Sequence, residues 1–259
     1  MNPLPSQPQS EPVRLWPGAD DLLAVVLSGG LCLCLVIRRG WLRGSVSACL
    51  VSAYDRRAAQ LTAFKAGLKR THGPDRDTLD VMTDLVRARL CRTHRQTFFS
   101  GQVETDGGSL LWDIRFEPLF RKDRMLFARA GGRIFLNGEE FLLPQGSGLM
   151  CVHALNGEKN GAHYGVLCPD GPAPLCLSGR QAGPGALMRD GLMTALDVPL
   201  IGPGTLSFGA AGGLGFDPEA QEAVLRCANG TSVLLRYGRL RGRIMGAETA
   251  GTGFIIYLK

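Results

Sequence analysis

Apolar residues fill positions 22–37 almost without a break, with acidic residues just before the run and arginines just after it. Gly29-Gly30 divides the run into two halves of seven residues each. Adjacent glycines suit a two-residue hairpin turn, because both central positions then adopt φ > 0 without a Cβ clash. The pattern therefore predicts two antiparallel strands at the start of a soluble domain.

Two other interpretations of residues 22–37 stay open. As a helix, the sixteen residues would span roughly 24 Å, which is short of the ~30 Å hydrocarbon core, so they would form a short membrane anchor. As a signal peptide, they would follow 21 residues that lack a basic region. The predicted location is therefore cytoplasmic, with membrane association through this segment as the alternative.

Apolar positions recur at intervals of three or four in the next part of the chain, which is typical of amphipathic helices. One helix is expected over residues 46–70, ending at Thr71-His-Gly-Pro74. A second is expected from about residue 75 to residue 92, with acidic residues in its first turn and arginines in its last. The apolar stripe of the first helix consists of Leu50, Tyr54, Ala58, Leu61, Phe64 and Leu68.

From Thr97 the apolar period changes to two, which predicts strands. The predicted strands cover residues 97–105, 109–117 and 119–128, and Pro118 separates the last two. This order of hairpin, helices and three antiparallel strands resembles a PAS domain over about residues 20–130.

The PAS resemblance is carried by the hairpin Val25–Val36 and by the long strands within Gly101–Leu119. It implies an antiparallel sheet with helices on one side and a small pocket between them. Domains of this family sense ligands or mediate dimerisation. The chain has no haem- or flavin-specific signature, so no cofactor is predicted.

Residues 131–259 are predicted to be mostly β, as a Gly-rich barrel or sandwich. Asn137-Gly138 between apolar runs is the signal for a type I′ hairpin, and one helix is expected over residues 186–196. The chain is thus predicted to be α+β, with a Pro-rich flexible tail (1–19), a PAS-like domain (20–130) and a β-rich domain (131–259). Further strands are predicted at 149–155, 163–168, 173–178, 205–208, 223–227, 232–237 and 254–258.

Positive charge is concentrated in the first part of the chain. The net charge is +6, and residues 38–95 alone hold 13 basic and 5 acidic residues. Such a segment attracts an anionic ligand, nucleic acid or anionic lipid; the alternative is a solvated helix face. A second basic run begins at Arg236, and its alternative is a charged edge strand that blocks aggregation. The candidate anion-binding residues are Arg38, Arg39, Arg43, Arg56, Arg57, Arg236, Arg239, Arg241 and Arg243.

The eight cysteines are too few for a disulfide scaffold, and several lie inside apolar strands, where a thiol behaves as a small apolar group. Cys151 and His153 are two residues apart, on one face of a predicted strand, and His163 and Cys168 follow in the next strand. These four side chains are the candidate metal ligands, although their spacing matches no zinc-finger pattern. The alternative is that they are ordinary core and surface residues.

No motif in the sequence specifies a reaction, so the leading hypothesis is a non-enzymatic regulatory or sensory protein. Its PAS-like module would bind a small ligand or pair subunits, and its β-rich module would bind a protein partner. One alternative is a structural subunit of a larger assembly, such as a phage particle or a secretion machine, in which the chain also self-associates. A second alternative is a metal-dependent enzyme that uses Cys151, His153, His163 and Cys168.

Overall fold

A computed structural model shows the architecture of the chain as two packed antiparallel β-sheets. The predicted Pro-rich tail, residues 1–19, lies outside the residues that the structure describes. The described residues are 21–28, 30–38, 44–52, 58–72, 76–82, 86–93, 97–105, 108–122, 125–155, 161–168, 175–180, 185–189, 192–196, 200–226 and 232–258.

The first sheet is a closed barrel of ten strands. Each strand pairs with its neighbours in sequence, and the last strand returns to pair with the first, so the barrel has no free edge. The strands are β1 (Leu22–Leu27), β2 (Leu31–Arg38), β3 (Gly44–Ser52), β4 (Ala58–His72), β5 (Arg76–Met82), β6 (Val86–Thr93), β7 (Thr97–Thr105), β8 (Gly108–Lys122), β9 (Met125–Leu136) and β10 (Glu139–Ala154).

The second sheet is strongly curled but has two edges, β14 and β15, in the order β14-β13-β12-β11-β20-β19-β17-β16-β15. The strand β18 pairs with β19 beside β17. The Tyr257 hydroxyl on β20 donates to the Gly202 carbonyl on β15 (2.6 Å), a contact across the concave face that shows the curl. The strands are β11 (Gly161–Cys168), β12 (Leu175–Arg180), β13 (Gly185–Arg189), β14 (Leu192–Leu196), β15 (Leu200–Gly202), β16 (Thr205–Ser207), β17 (Gly212–Phe216), β18 (Gln221–Arg226), β19 (Ser232–Ile244) and β20 (Ala247–Leu258).

The hairpin predicted for residues 22–37 is confirmed, since β1 and β2 pair antiparallel on either side of Gly29-Gly30. The segment is apolar throughout because both of its faces are buried. Alternate residues such as Leu22 and Ala24 point into the barrel, and those between them, such as Leu23 and Val25, pack against the second sheet. In the described part of the chain, no helix is long and apolar enough to cross a membrane.

Side chains from the outer face of the barrel and from the second sheet form one shared core, here called the inter-sheet interface. Its apolar members are all less than one-tenth exposed, so the two sheets bury each other's surfaces. From the barrel they are Leu23, Val25, Leu27, Cys32, Cys34, Val36, Cys49, Val51, Leu149, Cys151 and Leu155, and from the second sheet Leu167, Ala223, Leu225, Val233, Leu235, Tyr237, Phe254, Ile256 and Leu258.

The predicted α+β class is wrong, and with it the PAS-like sheet with helices. Residues 46–70 and 75–92, expected to be helices, contribute to β3–β6, and the helix expected at 186–196 is replaced by β13 and β14. The described residues contain no α-helix, only one 3₁₀ turn at Gly209–Ala211. The spacing of three and four was misleading because β5 and β6 are antiparallel neighbours in a closed barrel, and their pairing overrides local periodicity.

The β-rich character of the second half is confirmed, and so is the turn at Asn137-Gly138. Asn137 (φ 52°) and Gly138 (φ 85°) adopt the left-handed conformation at both central positions that a type I′ turn requires. The strand β9 runs through Ala130-Gly131-Gly132, at the predicted boundary between the domains 20–130 and 131–259. The chain passes from one sheet to the other between Ala154 and Gly161.

Candidate functional site

Polar side chains cluster at one end of the inter-sheet interface, where β1 begins and β2 ends. We call this group, formed by Asp21, Arg38, His153 and His163, the polar end. All four residues are at most 9 % exposed, although the surrounding interface is apolar. Buried polar groups are costly unless they are paired, so their concentration at one place requires an explanation.

The two imidazoles of the polar end come from different sheets. His153 lies on β10, in register with Leu23, and His163 lies on β11, in register with Ile256, so both point into the interface. Their Nδ1 atoms are 3.1 Å apart, and the rings meet edge to face with centroids 4.7 Å apart. At this distance one Nδ1 carries the hydrogen and the other accepts it. The two rings are therefore joined by an Nδ1–H···Nδ1 hydrogen bond.

A buried ion pair lies beside the imidazoles. Arg38 Nη1 contacts Asp21 Oδ2 at 3.3 Å, and the side chains are 2 % and 12 % exposed. The hairpin register places Asp21, the residue before β1, opposite Arg38 at the end of β2, one step beyond the Leu22–Ile37 pair. His153 lies on the same face, diagonally across from Asp21. The ion pair and His153 thus share one patch of the barrel wall, and His163 meets His153 there from the second sheet.

Three further hydrogen bonds hold the two sheets together. Near the polar end, Ser47 Oγ donates to the Arg226 carbonyl (2.7 Å). At the opposite end of the interface, the hydroxyls of Tyr237 (3.4 Å) and Thr252 (3.2 Å) both donate to the Ser28 carbonyl. The apolar centre of the interface therefore has polar contacts at both ends, which fix the position of one sheet on the other.

The cysteines of the interface act as apolar residues, as the sequence predicted. Burial raises the pKa of the Cys32 thiol well above its ordinary value, and nearby Cys49 and Cys151 raise it further. Burial also raises the pKa of Cys49 to about 12. These thiols are protonated at neutral pH, whereas metal binding and nucleophilic attack require the thiolate.

The proposed metal ligands are brought together only in part. His153 and His163 are in contact, and Cys151 lies on the same face of β10, two residues from His153. The side chain of Cys168 is not among those described. Within the described residues, no group of three or more His, Cys, Asp or Glu side chains converges as a metal site would require. Two imidazoles are fewer ligands than the three or four of a protein zinc site.

The predicted anion-binding arginines are dispersed. Arg38 is buried at the polar end, whereas Arg39, Arg43, Arg56 and Arg57 lie outside the described residues. Arg236 points to the concave face of the second sheet, over the ring of Phe216 (5.6 Å) and 3.7 Å from a carboxyl oxygen of Glu222.

The other basic residues of the second run are Arg239, Arg241 and Arg243, which alternate along β19 and are exposed. Arg241 pairs with Asp217 (3.5 Å) and Arg243 with Glu248 (3.4 Å). The interpretation of this run as a charged edge strand is wrong, because β19 pairs on both sides, with β20 and with β17 and β18.

Besides Arg236 Nε, two other buried donors lie away from the polar end. The indole Nε1 of Trp112 in the barrel and the hydroxyl of Tyr164 in the second sheet have no acceptor among the described residues. Tyr164 packs on Phe208, and burial raises the pKa of its hydroxyl. Each is a single donor in an apolar surrounding, whereas the polar end combines two imidazoles, a carboxylate and a guanidinium.

The sequence identified His153 and His163 but missed Asp21 as their neighbour. A signal was present, because a two-residue turn at Gly29-Gly30 fixes a register that places Asp21 opposite Arg38. The approach of β11 to β10 had no such signal. It depends on contacts between two separate sheets.

Comparison with known proteins adds information on the fold. No protein-family model matches the sequence, and no curated protein matches it. Among solved structures, kievitone hydratase from Nectria haematococca matches with a TM-score of 0.64 and 8 % sequence identity, over 95 % of this chain and 91 % of that protein. At this identity the likeness shows that the two proteins share a fold over nearly their whole length.

Proposed function

We propose that the protein is an enzyme that carries out acid–base chemistry on a small, largely apolar molecule at the polar end. The observation that carries this proposal is the contact between His153 and His163, with Nδ1 atoms 3.1 Å apart and both rings buried. Histidine is the side chain best suited to exchange protons near neutral pH. A second imidazole in hydrogen-bond contact allows the proton to pass between the rings.

The reaction class that we favour is the addition of water to a carbon–carbon double bond, or its reverse. One imidazole gives the proton of its Nε2 to one carbon of the double bond and takes up the hydrogen that lies between the two Nδ1 atoms, while the oxygen of a water molecule bonds to the other carbon. The second imidazole, which has passed on its Nδ1 hydrogen, takes the remaining proton of that water at its own Nε2. The products are the alcohol and a neutral pair with its original number of protons, in which the two rings have exchanged tautomers.

The site's surroundings support this chemistry. The imidazoles adjoin apolar residues of the interface such as Leu23 and Ile256, so an apolar substrate would contact apolar side chains there. Exclusion of bulk water there would limit side reactions and strengthen electrostatic interactions. The solved structure that shares this fold is named a hydratase, which agrees with the favoured class but assigns no residue.

The hypotheses drawn from the sequence relied on other features of the chain. The sensory function relied on a PAS-like module, and the strands β1–β10 form a closed barrel instead. The metal-dependent enzyme stays a prediction: among the described residues, His153 and His163 are in contact but form no group of three or more ligands, and the side chain of Cys168 is not described. A protein partner, self-association, nucleic acid or anionic lipid stays a prediction that no described contact tests.

The test is oxygen-18 incorporation. The purified protein is incubated in H₂¹⁸O with a panel of largely apolar alkenes, acyclic or attached to aromatic rings and each with and without a carboxyl group, and the products are analysed by mass spectrometry. We expect at least one alkene to gain the mass of one H₂¹⁸O. The variants His153→Gln and His163→Gln, which retain hydrogen-bonding side chains, should lose roughly 100- to 10,000-fold in rate.

The matched control is Val103→Ala, which removes apolar volume inside the barrel, away from the imidazoles and the interface. It should keep a rate close to that of the wild type. No labelled product from any alkene, or a full rate in both histidine variants, would contradict the proposal.

A further inference from the structure

The guanidinium of Arg38 has donors for which the described residues supply no acceptor. Nη1 contacts Asp21, but Nε and Nη2 have no acceptor among the described residues. The side chain is only 2 % exposed, so bulk water is a poor substitute. Leaving charged donors buried without an acceptor is costly, and such groups occur where a ligand or a catalytic function needs them.

The two unused atoms form one edge of the guanidinium. The N–H groups of Nε and Nη2 point in parallel and are spaced to meet both oxygens of a carboxylate. Asp21 occupies Nη1 alone and leaves this edge whole. A lysine or a single hydroxyl would present no comparable planar fork.

The position of Arg38 relative to the imidazoles sets the size of a ligand that reaches both. Arg38 and His153 lie on the same face, two strands and two residues apart. Strand spacing and residue rise then place their Cα atoms about 12 Å apart. Both side chains extend from the barrel wall towards the second sheet, so a molecule with several carbons between its carboxyl group and its reactive carbons would span the gap.

From these contacts we infer that the Nε–Nη2 edge of Arg38 binds the carboxylate of the ligand, so that the substrate is an apolar carboxylic acid. This inference rests on the proposed acid–base function, because it names the substrate class of the same site. Arg38 is a binding residue that orients the substrate. The imidazoles exchange the protons.

The experiment uses saturated ligands, so that binding is measured without turnover. Isothermal titration compares the straight-chain acids from butyrate to dodecanoate, and 3-phenylpropanoate, with the primary alcohols of the same carbon skeleton. In the wild type we expect at least one acid to bind about tenfold or more tightly than its alcohol. Inorganic phosphate, a tetrahedral anion, should bind more weakly than that acid.

Two variants test the role of Arg38. Arg38→Lys retains the charge but not the fork, and should lose most of the preference for the acid. Asp21→Asn combined with Arg38→Met removes both partners of the ion pair, which keeps the fold intact, and should abolish the preference. Arg239→Lys, at an exposed position on β19, is the control and should bind like the wild type.

The inference is overturned if acids and alcohols bind equally, if none of them binds, if phosphate binds as tightly as the best acid, or if the preference survives in the double variant. Its failure is distinguishable from failure of the proposed function. A preference for acids without oxygen-18 incorporation leaves the carboxylate site standing and removes the enzyme. Hydration without any preference for acids supports the proposed enzyme and removes the carboxylate site.

Discussion

Replacement of Asp21 by Asn removes the charge that accompanies a buried cation. Arg38 is 2 % exposed, and a guanidinium does not lose its proton in a protein, so it would stay charged without its carboxylate. Breaking a buried ion pair from one side costs roughly 3–5 kcal/mol. Because Arg38 is almost wholly inaccessible, we expect Asp21→Asn to lower the free energy of unfolding by about 4 kcal/mol.

A second variant combines Arg38→Met with Asp21→Asn. This removes the isolated charge together with its two unused donors, and replacement of a buried ion pair by apolar groups is often neutral or stabilising. The double variant, in which position 21 stays polar, should therefore recover most of the stability that Asp21→Asn alone loses. If the ion pair contributed only its contacts, the second substitution would not raise the free energy of unfolding above that of Asp21→Asn.

The assay is urea denaturation, followed by fluorescence and circular dichroism, with the slope of each transition compared between variants. The control is Glu248→Gln, which breaks the pair with Arg243 (side chains 85 % and 71 % exposed) and should cost less than about 1 kcal/mol. An Asp21→Asn variant that loses no more than the control would refute the reasoning, as would a double variant as unstable as Asp21→Asn.

Three further predictions concern packing and protonation. Tyr164→Phe removes a buried hydroxyl that has no acceptor among the described residues, so chemical denaturation should show a gain of about 1 kcal/mol, and a loss of that size would count against it. Gly165→Ala would place a Cβ 2.5 Å from the Phe254 ring at the inter-sheet interface and should cost about 1–3 kcal/mol, whereas Gly215→Ala, with open space around its Cβ, should cost under about 1 kcal/mol. Burial raises the pKa of Cys49 from 9.0 to about 12, so its neutral thiol stabilises the fold below pH 9, and this contribution is lost as the pH rises from 9 to 12. The free energy of unfolding of the wild type should therefore decline more over that range than that of Cys49→Ala. An equal decline in the two proteins would contradict the assignment.

The parts of the fold that depend on local sequence were predictable. Gly29-Gly30 and Asn137-Gly138 specify hairpins because few residues other than glycine and asparagine adopt the turn conformation, and both hairpins are confirmed. Alternation in residues 109–117 likewise identified a strand, although β8 continues through Pro118 to Lys122. Turn chemistry and the period of two are properties that neighbouring residues determine by themselves.

The predictions that were wrong concern segments whose structure depends on partners distant in sequence. Residues 58–72 form β4 because β3 and β5 supply the pairing on either side, and no local pattern encodes that closure. The same limit applies to the candidate site. His153 and His163 were identified as ligand-type residues close in sequence, but their coupling appears only when the second sheet packs on the barrel.

The most direct test of the central claim is whether His153 and His163 act as one unit. For the best substrate found, kcat/KM is measured for the wild type, for His153→Gln, for His163→Gln and for the double variant. If the rings share a proton during the reaction, each single variant should lose about as much activity as the double variant, because residues that act together are not additive. Losses that multiply in the double variant, or a single variant that keeps full activity, would contradict the account.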